Sequence, residues 1–217
     1  MRTIHIKAKS EADIMPAVRD AYRHARKGSK VAIVSTIQHL HKLEEAKSLL
    51  EEDKSKGIRA EIAGQVLGCR VPEIPGDTDQ VLYIGSGRFH PIGILLRTGR
   101  EVITANPLSG KAAKITRKDA ETFEKRKRGA LARFISSENI GVLVSTKKGQ
   151  TGVQGGSKRI EEIKDRYNNK NFYDFAFNTL DKGELENFPF IDCWVNTACP
   201  RLFEDFEKGM INLEDIE

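Results

Sequence analysis

Cysteine is scarce in this chain of 217 residues: Cys69, Cys193 and Cys199 are the only three. The number is odd and nothing in the sequence marks secretion, so structural disulfides are not expected. Metal binding, redox chemistry or plain burial remain as uses for a thiol. Long apolar runs are also missing. No stretch approaches the ~20 residues a membrane helix needs, and the N-terminus lacks the charged-then-apolar layout of a signal peptide. A strong excess of one charge is absent as well, since 36 basic against 31 acidic residues leave +5. Such a mixture reads mostly as solvated helix surface, and charge alone shows no partner. The sequence therefore points to a soluble cytoplasmic protein with no membrane contact and no direct nucleic-acid binding.

What is present is an alternation of strands and helices. Ile14, Ala17, Val18 and Ala21 recur at helical spacing between Glu11 and Lys27. Lys30–Thr36, Gln80–Ile84, Gly141–Thr146 and Ile191–Asn196 are short apolar runs rich in β-branched residues, as buried parallel strands are. Thr3–Ala8, Arg59–Ala63, Glu101–Ala105 and Asp174–Asn178 are further candidate strands. Helices are expected over Leu40–Asp53, Ile92–Arg97, Lys118–Ser136 and Lys158–Arg166. The order repeats: KVAIVSTIQH in the first half is matched by IGVLVSTKKGQ in the second. Each half runs through helix, apolar strand, polar turn, helix, strand and a strand ending at a cysteine loop. The fold class expected is α/β, with two similar domains over 1–112 and 113–217. Each would be a small, mainly parallel sheet flanked by helices, with a cofactor cleft at the carboxyl ends of the strands. The joint is placed near Ser109–Ile115, and the residues from Leu202 onward read as a short acidic tail.

Three segments carry the chemistry. Gly64-Gln65-Val66-Leu67-Gly68-Cys69 and Asn196-Thr197-Ala198-Cys199-Pro200-Arg201 set a cysteine in a loop of small residues. Gly85-Ser86-Gly87, followed by Phe89-His90-Pro91, is a glycine turn directly after a strand, able to bring backbone N–H groups to an anion. It lacks the third glycine of a dinucleotide fingerprint and is equally readable as a plain strand-to-helix turn. His90, ahead of a proline, is expected extended, lining a pocket or serving the fold. Cys193 sits inside an apolar run beside Trp194 and reads as a core thiol. It cannot share ligands with Cys199 along a strand, where six residues at ~3.3 Å each separate them by about 20 Å. Cys69 and Cys199, brought together by the fold, are the better pair. No close cysteine pair of the zinc type is present; widely spaced single cysteines suit an iron–sulfur cluster. Arg201 is placed to grip a carboxylate, with Lys147, Lys148 and Gln150 able to act similarly, or these are solvated basic loops. The Lys125-Arg126-Lys127-Arg128 run reads as solvated helix surface, with a docking face as the alternative.

STIQHLHKLEEAK, GQVLGC, VLYIGSGRFHPIG, VSTKKGQ and VNTACPR together resemble the archaeal enzymes of the first step of diphthamide biosynthesis, through nearly the whole chain. The resemblance implies three α/β domains, each giving one cysteine to a [4Fe–4S] cluster whose fourth iron takes S-adenosylmethionine. It implies reductive cleavage to a 3-amino-3-carboxypropyl radical and transfer to a histidine of the translation elongation factor. On this basis Cys69 and Cys199 are metal ligands. Gln38, Gly85, Ser86, Gly87, Phe89, His90, Gln150 and Arg201 become candidates for the S-adenosylmethionine pocket. No residue is singled out as catalytic.

The resemblance also implies a missing part, since the chain begins where the family's second domain would begin. A truncated chain, a short paralogue, or a subunit whose partner or second copy supplies a third cysteine would each account for that. Two other functions stay open at this point. One is a non-catalytic accessory subunit, and the other is a generic anion- or nucleotide-binding α/β protein resting on the glycine turn alone.

Overall fold

The run Lys30–Ser35 forms strand β1, and every residue in it after Lys30 is buried. A strand covered on both faces needs neighbours on both sides and helices above and below, and both are present. The structure is a computed structural model that describes residues 6, 8–68, 70–147, 153–206 and 209–216. The described residues fall into two units, Met1–Ala120 and Glu121–Glu217. Both are α/β, with mainly parallel sheets flanked by helices.

In the first unit the elements are α1 (Met15–His24), β1, a 3-10 helix over Ile37–Lys42, α2 (Leu43–Glu52), β2 (Arg59–Gln65), β3 (Gln80–Ile84), α3 (Phe89–Thr98), β4 (Glu101–Asn106) and β5 (Lys111–Lys114). The sheet order is β2-β1-β3-β4-β5; the first four strands are parallel and β5 pairs antiparallel with β4. Ala17, Val18 and Ala21 of α1, and Leu43, Ala46 and Leu50 of α2, pack on Val31, Ile33, Leu82, Ile84, Ile103 and Ala105. Val81 and Tyr83 alternate to the opposite face of β3 and are equally buried.

The second unit contains most of α4 (Arg117–Ser136), then β6 (Asn139–Ser145), α5 (Val153–Arg166), β7 (Asn171–Phe177), α6 (Lys182–Leu185), β8 (Cys193–Asn196), α7 (Leu202–Asp205) and β9 (Met210–Asn212). The order is β7-β6-β8-β9, all parallel. Helix α4 starts with a reciprocal cap: Asp119 N–H donates to Thr116 Oγ1, and Thr116 N–H donates to Asp119 Oδ2. One face of the sheet packs Phe134, Ile140, Ile163, Cys193, Val195 and Ile211. The other packs Leu143, Ile191, Trp194, Phe206 and Met210. Trp194 lies over Gly141 of the neighbouring strand, where a Cβ would come within 2.4 Å of its ring.

The repeat is visible in the topology. β2-β1-β3-β4 and β7-β6-β8-β9 have the same order and direction, with β1 matching β6 and β3 matching β8. Three expectations change. The cysteine loops are not equivalent, because Cys69 comes after β2 in the chain whereas Cys199 follows β8, the counterpart of β3. Cys199 therefore occupies the topological place of the Gly85–Gly87 turn. The stretch after Leu202 is not a tail: β9 pairs with β8 in register, and Met210, Ile211 and Ile216 are buried. Its acidic residues masked a three-residue strand too short to register in a periodicity reading. Residues 111–114, placed in the joint by the sequence, are the hairpin strand β5. The strand expected at Thr3–Ala8 lies, apart from Ile6 and Ala8, outside the described residues.

Candidate functional site

A parallel sheet with order 2-1-3-4 reverses its winding between the first and third strands, and the loops beyond their carboxyl ends open a crevice there. In the first unit those loops are Thr36–His39 after β1 and Gly85–His90 after β3. In the second they are the residues that follow Ser145 of β6 and the turn Thr197–Arg201, which begins directly after Asn196, the last residue of β8.

In the first unit the glycine turn is shaped by Tyr83. A Cβ on Gly85 would lie 2.5 Å from the Tyr83 hydroxyl, so only glycine fits there. Gly87 takes φ 78, the left-handed region that glycine enters without strain. The Tyr83 hydroxyl donates to Ser86 O at 3.3 Å and lies 3.4 Å from His90 Nδ1. The His90 ring stacks on Tyr83 and meets Phe89 edge-on, with centroids 5.8 and 5.5 Å apart. His90, expected extended, is instead in the first turn of α3. A proline at the next position is tolerated there because first-turn N–H groups have no partner within the helix. Ser86, Gly87 and Arg88 are exposed, and Arg88 pairs with Asp119 at 2.5 Å. Thr116 backbone and side-chain donors, ahead of Arg88, hold the Asp119 carboxyl below its usual range.

Phe89 also touches the first cysteine loop. A Cβ on Gly68 would come within 2.8 Å of Phe89 Cε1, so the residue next to Cys69 rests on the ring that starts α3. Leu67 and Arg70, which flank Gly68 and Cys69 in the chain, exchange two backbone hydrogen bonds. Val66 N–H donates to Ser35 O at 2.9 Å, tying the same loop to the end of β1. Gln38 is exposed, and its backbone carbonyl accepts from Ser10 N–H at 2.9 Å. Its neighbour His39 is buried with no partner for Nδ1, and desolvation lowers its pKa. Cys69 and Gln150 lie outside the described residues.

In the second unit Cys199 is a free, half-buried thiol, and Arg201 is exposed one residue before α7. Thr197 Oγ1 donates to Leu143 O at 2.8 Å. Asn196 Nδ2 donates to Cys199 O at 3.0 Å, and Asn196 Oδ1 accepts from Ala198 N–H at 3.0 Å. Sequence reasoning gives Asn196 no role; a polar residue closing an apolar strand is the one signal that could have found it. Cys193 differs from Cys199 in burial. It is fully buried, and desolvation pushes its thiol up to about 12. Among the described residues no group of three or more His, Cys, Asp and Glu side chains could hold a metal ion. Cys199, free and partly accessible, suits a soft metal as a single ligand.

The family described as "Putative diphthamide synthesis protein" matches residues 1–216. The chain belongs to this family. The 2-(3-amino-3-carboxypropyl)histidine synthase of Pyrococcus horikoshii is 31% identical, over 99% of this chain and 64% of that protein. The protein of the same name from Methanocaldococcus jannaschii is 32% identical, over 84% of this chain and 48% of its own length. The crystal structure of Dph2 from Pyrococcus horikoshii with a 4Fe-4S cluster superposes with TM-score 0.79 at 27% identity, covering 95% of this chain and 62% of that one. This diphthamide-synthesis family member thus spans less than two thirds of the relatives it matches. No helix among its described residues is long and apolar enough to cross a membrane.

Proposed function

We propose that this chain carries two of the three thiolate ligands of a [4Fe–4S] cluster, Cys69 and Cys199, in a 2-(3-amino-3-carboxypropyl)histidine synthase. The supporting observation is the placement of Cys199: a free thiol in a pinned turn at the switch point of the second sheet, within a family that includes a cluster-bearing structure. A third thiolate would come from outside these 217 residues. S-adenosylmethionine would bind at the carboxyl ends of the strands, in a cytoplasmic protein. Backbone N–H groups of the Gly85-Ser86-Gly87 turn and the start of α3 would meet its carboxylate, with Phe89 and His90 forming a rigid wall beneath. Arg201, Gln38 and Gln150 are the further candidates for holding it.

When bound, the cluster would supply the electron that breaks the S–Cγ bond, releasing 5′-methylthioadenosine and the 3-amino-3-carboxypropyl radical, and would take an electron back as the radical's adduct with the acceptor ring loses a proton. The acceptor would be a histidine of the translation elongation factor. The test is an anaerobic assay with dithionite, S-adenosylmethionine and the elongation factor, run with this chain alone and with a chain bearing the third cysteine. Methylthioadenosine and a modified histidine should form in the mixture. Their absence there, with iron fully loaded, contradicts the proposal.

A further inference from the structure

The turn that carries Cys199 is held from the side by residues the family reading does not use. Asn196 closes β8 and Asn212 closes β9; they are register partners, 2% and 3% exposed. Asn196 Nδ2 donates to Asn212 Oδ1 at 2.8 Å as well as to Cys199 O. Asn212 Nδ2 in turn reaches Pro200 O at 3.4 Å and Asp215 Oδ2 at 3.3 Å. Asp215 Oδ1 accepts from Lys127 Nζ of α4 at 2.5 Å. Ala198 N–H, Cys199 O and Pro200 O are therefore all fixed by two buried amides, anchored by an ion pair. A buried amide this fully used has few alternative orientations, because each would leave a polar group unpaired.

We propose that Asn212, oriented by Asp215 and acting through Asn196, is a positioning residue that sets the geometry of Cys199 as a cluster thiolate. The C-terminal stretch then belongs to the site: β9 exists in part to place one amide against the cysteine turn. This inference rests on the proposed role of Cys199, and the experiment separates the two.

The full chain, free of iron, is treated anaerobically with iodoacetamide, and the alkylation rate of each cysteine is followed by mass spectrometry. Asn212→Ala removes three hydrogen bonds and should raise the rate at Cys199 by at least roughly fivefold, the population change a single lost buried hydrogen bond gives, while Cys193 stays protected. Asn212→Asp should also raise it, through repulsion with Asp215. Adding Asp215→Asn exchanges donor and acceptor at that hydrogen bond and should bring the rate part of the way back toward wild type, since the bond to Pro200 O stays lost. After reconstitution with ferrous iron and sulfide, the reduced Asn212→Ala protein should show a shifted electron paramagnetic resonance spectrum. Unchanged rates at Cys199 in both single variants, with Cys193 protected, overturn the proposal. If Asn212→Ala also exposes Cys193, the comparison of Asn212→Asp with the double variant decides, and equal rates overturn it. A wild-type chain that retains no iron even with dithiothreitol present as the third thiol defeats the cluster reading while leaving the alkylation result standing.

Discussion

Adding one methyl group at Gly141 would drive it into the Trp194 ring, which a Cβ approaches within 2.4 Å. Both residues sit in paired, buried strands, so neither can move away cheaply. Gly141→Ala should cost about 2 kcal/mol, the usual scale of overpacking, read as a lower urea midpoint with unchanged slope. Cys193 makes a prediction about pH. Burial raises its thiol from the ordinary 9.0 to about 12, so the folded state holds the proton more tightly than the unfolded chain. The stability this contributes is complete below pH 9 and is lost as pH rises toward 12. Cys193→Val should therefore flatten the alkaline fall in stability by up to one proton's worth of slope, measured by urea unfolding across that range. A core role for Cys193 was legible in the sequence, because the thiol sits inside an apolar run. The roles of Tyr83 and Asn212 were not, because both depend on what a neighbouring strand brings alongside.

At the scale of elements, β1–β4 and β6–β8 were readable, and the edge strands β5 and β9 were not. β1, β3, β6 and β8 are apolar runs that need no context, and each lies inside its sheet. β5 is mostly exposed, and β9 is three residues between polar flanks, so neither has a period of its own. Only pairing with β4 and β8 makes them strands. The basic run of α4 shows the same limit. Arg126 donates to Phe203 O and Phe206 O, and Lys127 pairs with Asp215, so half of a run that reads as solvated surface ties the helix to the C-terminal segment. Because β9 completes the second core, Ile211→Ala should destabilise by about 3 kcal/mol, as a buried isoleucine truncation does. Chemical denaturation monitored by Trp194 fluorescence would measure it, and a change near zero would return the segment to the status of a tail.

For the whole molecule, the repeat sets two turns of different composition at one topological place. The turn after β3 is the glycine turn Gly85–Gly87, and the turn after β8 carries Cys199. Both turns are visible in the sequence, but it places the cysteine loops at equivalent positions, since strand order cannot be seen in a linear chain. The central claim is that Cys69 and Cys199 bind iron and Cys193 does not. Its most direct test is iron content after anaerobic reconstitution with ferrous iron, sulfide and dithiothreitol as an added thiol, comparing wild type with Cys69→Ser, Cys199→Ser and Cys193→Ser. The account predicts a brown wild-type protein with broad absorbance near ~400 nm, matched by Cys193→Ser and lost in the other two. Full iron retention in Cys69→Ser and Cys199→Ser would contradict it.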